Sequence, residues 1–217
     1  IERESAGPGP LILAKLEYFN PGGSIKDRMA KYVIEKALRE GTLKKGDTII
    51  DNTSGNAGIS MAMVAAAYGL KAILTTPEKT SQEKVDTLRA LGAEVIITPT
   101  EAAWDDPRSC YQMAKRIAGE KGYFYFNQYD SHDNIMAHYH ETGPEIWRQT
   151  DGRITHLVAG IGTGGTMSGT AKFLKEQNPD IRNIAVDPEG SMFAEYIKSG
   201  QVGASRTYLV EGIGSDM

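Results

Sequence analysis

The chain has 217 residues, of which 40% are hydrophobic and 24% charged, and its formal net charge is −4. This is the composition of an ordinary globular protein with a substantial core, and its scattered Lys and Arg leave no basic footprint for nucleic acid. A single cysteine, Cys110, rules out an intrachain disulfide and fits a reducing, cytoplasmic setting, while no apolar run or leader pattern points to a membrane or to secretion.

In chain order, short apolar runs alternate with helical periodicity. Leu11 to Glu17 reads as a strand. Asp27 to Glu40 reads as a helix with Ala30, Val33, Ile34, Ala37 and Leu38 on one face, ending at Gly41. A strand at Thr48 to Asp51 leads to a helix at Ser60 to Tyr68 that is apolar nearly all round and so is expected to be buried. Ala72 to Thr76 is the next strand, followed by a helix from Ser81, an N-cap candidate, to Leu91, with Val85, Leu88 and Leu91 on one stripe. Glu94 to Thr98, His156 to Gly160 and Asn183 to Asp187 complete the strands. Cys110 falls in a helical segment without metal-ligand spacing and reads as structural. His138 and His140 alternate on an expected helix surface, and His132 and His156 stand apart, so no histidine is favoured as a general base.

Such alternation predicts an α/β fold with parallel sheet, which binds ligands beyond the carboxyl ends of its strands. Three strand-to-helix junctions therefore matter. At the first, FNPGGSIKDR, glycines allow close backbone approach, Ser24 can cap, and Lys26 lies in the first turn of the helix. The positive end of the helix dipole opposes its charge, which lowers a lysine's pKa toward the range where the amine is nucleophilic. At the second, IIDNTSGNAGIS, Thr53, Ser54, Gly55 and Asn56 gather hydroxyls, an amide and backbone N–H groups at a helix start, a seat for a carboxylate or a phenolate-like oxygen. At the third, VAGIGTGGTMSG, glycines at 160, 162, 164, 165 and 169 with Thr163 and Thr166 form an anion nest suited to a phosphate.

Gly160, Gly162 and Gly165 also satisfy G-x-G-x-x-G, with Asp187 about twenty residues on, so the third junction alone reads as an NAD site of an oxidoreductase. That reading leaves Lys26 and the TSGN loop without a role. Pyridoxal 5′-phosphate accounts for all three junctions, because it needs an amine for its aldehyde, a donor for its ring oxygen and a nest for its phosphate.

The stretches GGSIKDR, TSGNAGIS and GTGGT, with EGTLKKGDTII, SQEKVDTLRALGAEVIITPT, NIMAHY and EGIG, resemble the cysteine synthase and cystathionine β-synthase family of fold-type II pyridoxal-phosphate enzymes over nearly the whole chain. EKVDTLRALGAE and VDPEGS are more similar to the cystathionine β-synthase branch. The resemblance implies two three-layer α/β/α domains with mostly parallel sheets, the tryptophan synthase β-like fold. Residues 1–52 and 134–217 would form a large cofactor-binding domain, and 53–133 a smaller one that closes over substrate. It makes Lys26 the lysine that holds the cofactor's aldehyde carbon and Asn56 the partner of its ring oxygen. It assigns Gly162, Thr163, Gly164, Gly165 and Thr166 to the phosphate. Thr53, Ser54, Gly55, Asn56 and Ala57 would form the substrate-carboxylate loop, with Gln128 as a second contact and Gly212 near the entrance.

The implied reaction is β-replacement on an amino acid by a thiol: serine with homocysteine, or an activated serine (O-acetylserine or O-phosphoserine) with sulfide. A non-catalytic ligand-binding protein is a further alternative. A homodimer is expected by analogy. Two features depart from the family pattern. Ala57 stands where the loop usually reads TSGNT, and the serine that faces the pyridine nitrogen is expected beyond Met217, as in a piece of a longer protein.

Overall fold

The computed structural model describes residues 2–3, 9–53, 55–203 and 205–215. The chain forms two compact units, residues 1–126 and 127–217.

In the first unit, β1 (Glu2–Arg3) pairs antiparallel with β2 (Leu13–Ala14). The strand expected over Leu11 to Glu17 is thus only two residues long and lies outside the parallel sheet, because Glu17 already opens a 3-10 turn, Glu17–Phe19. Then come α1 (Lys26–Glu40), β3 (Thr48–Asn52), α2 (Asn56–Tyr68), β4 (Lys71–Pro77), α3 (Gln82–Ala90), β5 (Glu94–Thr98), α4 (Cys110–Lys121) and β6 (Phe124–Tyr125). The sheet order is β5-β4-β3-β6 with every pairing parallel. This sheet takes in Thr48–Asn52, on the other side of the domain boundary expected at residue 53.

Central strands buried on both faces need continuous apolar or β-branched runs, and TIIDN and KAILTTP supply them. Ile50 and Ile73, opposite each other in register, pack on Ala114 and Ala118 of α4. The alternate residue Leu74 points to the other face, where it and Leu88 of α3 both pack toward Gly58 of α2. Helices therefore cover both faces. α2 begins four residues before the expected Ser60, because Gly55, extended at φ −144°, serves as N-cap and lets Asn56 enter the helix directly. Gly41, Gly69 and Gly122 close α1, α2 and α4 in the left-handed conformation. The two-residue β6 had no period to betray it.

The second unit contains α5 (His132–Ala137), a π-helical segment (His138–Thr142), α6 (Gly143–Gln149), β7 (His156–Gly160), α7 (Gly165–Gln177), β8 (Arg182–Val186) and α8 (Phe193–Ser199). β7 and β8 pair in parallel through the α7 crossover. Ile146, Leu157, Leu174 and Ile181 form its buried core. The π segment lies just before Pro144, which lacks the N–H that would continue the normal helical ladder. It also overturns one expectation: His138 is fully buried rather than on a helix surface. The wider π turn directs His138 against α7, which passes so close at Gly169 that a Cβ there would collide with the Ile135 carbonyl and the His138 side chain.

Leu74→Ala should destabilise the protein by about 2–5 kcal/mol, since Leu74 is wholly buried between helices that cannot collapse freely. Denaturant unfolding should show a lower midpoint at an unchanged slope.

Candidate active site

The first junction is held by side chains on either side of Lys26. Asn20 to Gly23 form a tight turn in which the Gly23 N–H donates to the Asn20 carbonyl at 2.8 Å, with Pro21 pre-set in the second position. The Asn20 amide donates to the Glu17 carboxylate at 2.6 Å and to the Ser24 carbonyl at 3.1 Å. Arg28, the third residue of α1, clamps the same Glu17 carboxylate with two nitrogens, each at 2.8 Å. Burial raises the Glu17 pKa, but the bonds from Arg28 and Asn20 outweigh it and hold the carboxyl below its ordinary value. Ser24 accepts from the Lys26 N–H at 3.3 Å in a local turn, but the N-cap of α1 is Ile25, so Ser24 does not cap the helix as expected.

Sequence reading passed over Asp27. Its buried carboxylate accepts from the Gly22 N–H at 2.6 Å and from the Ser60 hydroxyl at 2.5 Å. Ser60 lies one turn into α2, whose first residue is Asn56. A single carboxylate thus fastens the glycine turn, the start of α1 and the start of α2 together, fixing Lys26 relative to Asn56. An acid in the first turn of a buried helix was the available signal.

Lys26 is the first residue of α1, and among the described residues no carboxylate pairs with its amine. Burial alone lowers its pKa; the direction expected from the helix dipole is correct, and desolvation is its cause. At the second junction, Asn56 is exposed, Gly55 half-buried, and Thr53 and Ala57 buried. The Thr53 hydroxyl accepts from the Gly55 N–H at 3.3 Å, so part of this loop is simple turn chemistry. Ser54 lies outside the described residues.

The third junction lies in the second unit. Gly164 is left-handed at φ 81° and caps α7, so Gly165 and Thr166 lie in a first turn whose N–H groups have no intrahelical acceptor. Gly212, itself at φ 84°, brings its carbonyl to 2.9 Å from where a Cβ on Gly162 would stand, and the Gly214 N–H donates to the Ile161 carbonyl at 2.6 Å. The structure thus brings the predicted Gly212 to the predicted phosphate loop. Thr166 shares a hydrogen bond with His138 at 3.2 Å, and His138 pairs with Thr142 at 2.9 Å through its other nitrogen. Gln128 is buried in the turn that precedes α5. Alternation along AHYH had hidden His138, because it assumed an ordinary helix.

Taken unit by unit, the chemistry of these residues suits an aldehyde and a ring oxygen in the first unit and a phosphate in the second. Lys26 offers an amine of lowered pKa with no carboxylate partner among the described residues, Asn56 an exposed amide at a helix start, and residues 162–166 a glycine cradle in which a Cβ at 162 or 165 would meet protein atoms. The model of the pyridoxal-phosphate dependent enzyme family matches residues 1–216. The chain belongs to that family. Its cofactor is pyridoxal phosphate, which replaces the dinucleotide reading of Gly160, Gly162 and Gly165. Asp187, the acid that reading required, accepts from the Ala194 N–H of α8 at 2.8 Å.

Among its relatives, cystathionine β-synthase of Rattus norvegicus is 50% identical over 214 residues, covering 98% of this chain and 38% of that protein. Cysteine synthase of Staphylococcus aureus is 48% identical over 181 residues, 83% of this chain and 57% of that one. The solved structure of an O-acetylserine dependent cystathionine β-synthase from Helicobacter pylori aligns with TM-score 0.82 and 42% identity, covering 93% of this chain and 63% of that one. The chain therefore spans well under half the length of the rat relative. Like these relatives, this pyridoxal-phosphate enzyme has an α/β fold with parallel sheets. Among the described residues, no helix is long and apolar enough to cross a membrane.

The lowered pKa of Lys26 sets a pH-dependent cost. Below the folded-state pKa, folding must bury a charge or release a proton, whereas the unfolded chain keeps its proton up to the ordinary lysine value of 10.5. The penalty is fully present at low pH and disappears as pH rises toward 10.5. Lys26→Met should therefore raise the Tm of the cofactor-free protein at neutral pH, and the gain should shrink steadily in alkaline buffers.

Proposed function

We propose that the protein catalyses a pyridoxal-phosphate dependent β-replacement, joining L-serine and L-homocysteine to cystathionine. The observation that carries this reading is the half-buried Lys26, whose amine has no carboxylate partner among the described residues and whose helix Asp27 fastens to the helix that opens with Asn56. Similarity to cystathionine β-synthase over 98% of the chain supports the choice of acceptor. The second reading is cysteine synthesis from O-acetylserine or O-phosphoserine and sulfide. It is favoured by the 48% identity to a cysteine synthase and by the structural likeness to a synthase described as O-acetylserine dependent.

In this reading Lys26 would hold the cofactor by its aldehyde carbon, and its amine, once free, would take up the Cα proton of the substrate. Its lowered pKa keeps enough of that amine neutral to act as a base. Bound pyridoxal phosphate supplies an electron sink for the charge that develops at Cα. Asn56 donates toward the ring oxygen, and Gly162, Thr163, Gly164, Gly165 and Thr166 hold the phosphate. Thr53, Ser54, Gly55, Asn56 and Gln128 orient the substrate carboxylate, while Ala57 offers a methyl where the family loop has a hydroxyl and so alters the choice of substrate. Gly212 lies at the substrate entrance. Residues 53–133, expected as the domain that closes over substrate against one built from 1–52 and 134–217, would carry Thr48–Asn52 with them, because that strand is paired on both sides within their sheet. The enzyme acts in the cytoplasm as a homodimer.

Two measurements test the proposal on the full chain. With pyridoxal phosphate the protein should show a visible absorption band that shifts on adding L-serine, and Lys26→Ala should abolish turnover; an active Lys26→Ala enzyme would refute the assignment. Turnover of serine with homocysteine, set against O-acetylserine with sulfide, decides between the two reactions.

A further inference from the structure

One buried amide in the second unit is not used by the reading above. Asn134, in α5, is 3% exposed. Its amide nitrogen donates to the main-chain oxygen of Gln128 at 2.9 Å and to the Thr163 hydroxyl oxygen at 2.9 Å. The Gln128 carbonyl can only accept, so the chemistry itself fixes which end of the amide faces these partners. Because Asn134 occupies a lone pair of the Thr163 oxygen, the Thr163 proton is left to donate elsewhere. The amide oxygen of Asn134 is buried without a hydrogen-bond partner among the described residues, and it lies where a Cβ on Gly165 would come, so glycine at 165 is what lets the loop close onto Asn134.

We infer that Asn134 is a positioning residue that sets two contacts at once: it turns the Thr163 hydroxyl into a donor for the cofactor phosphate and anchors the turn that presents Gln128 to the substrate carboxylate. This rests on the pyridoxal-phosphate reading of the site. Without Asn134 the Thr163 hydroxyl is free to rotate and the Gln128 turn loses its tie to the loop. Phosphate affinity and substrate grip then weaken together.

The test uses pyridoxal 5′-phosphate and pyridoxal, which differ only in the phosphate, titrated into the cofactor-stripped full chain. Asn134→Ala should lower the ratio of the two affinities about tenfold, the size of one charge-assisted hydrogen bond. Thr163→Val should do the same, and the double variant should be no worse than the worse single one. Asn134→Asp, which keeps the packing but replaces two donors by acceptors, should lower the ratio at least as far. In turnover, Asn134→Ala should also raise the KM for the amino acid. A general loss of structure would weaken both ligands equally. An unchanged ratio, additive effects in the double variant or an unchanged KM each overturns the inference. A wild-type chain with no preference for the phosphorylated ligand would instead defeat the pyridoxal-phosphate reading, and this inference with it.

Discussion

The buried carboxylate of Asp27 is the constraint on which the lysine half of the site depends. It accepts from a backbone N–H of the glycine turn and from Ser60 of the neighbouring helix, and so joins three pieces of chain that are otherwise free to slide. A buried carboxylate is costly unless it is hydrogen-bonded, and here both oxygens are satisfied. The glycine at position 22 is part of the same arrangement, because a Cβ there would run into the Asp27 carboxylate. Lys26, one residue away, takes no part in this network. Its neighbours spend their polar groups on fixing the backbone, and among the described residues no carboxylate pairs with the amine.

The second unit solves a different problem with the same economy. An anion nest needs backbone N–H groups that point outward and are held still, yet glycines alone give a mobile loop. The GIGTGGT segment is pinned from outside: Gly212 presses on Gly162, Asn134 on Gly165, and His138 bonds to Thr166. Each glycine of the motif that faces protein marks a close approach that a larger side chain would forbid. The flexibility that the composition suggests is removed by contacts from segments remote in sequence.

The π-helical segment before Pro144 connects these contacts. By widening one turn it moves His138 from the face that an ordinary helix would give it to the interior, next to α7 and Thr166. Gly169 allows that approach, so a glycine that the motif alone would assign to the ligand instead serves helix packing.

Strands β3, β4, β5 and β7 were legible in the sequence almost to the residue, as were the ends of α1 at Gly41 and of α2 at Tyr68, the position of Lys26 at a helix start, and a glycine-rich turn at 162–166 that leads into a helix. These are local properties: hydrophobic period, backbone freedom and capping act over a few residues, and a chain states them directly. Tertiary structure alone decided the roles of Asp27, Ser60, Asn134 and His138 and the shortness of β2. The Asp27 to Ser60 bond spans 33 residues and the Asn134 to Thr163 bond 29. Which polar groups meet over such separations depends on how helices pack and where loops close, and no periodicity in the sequence records it.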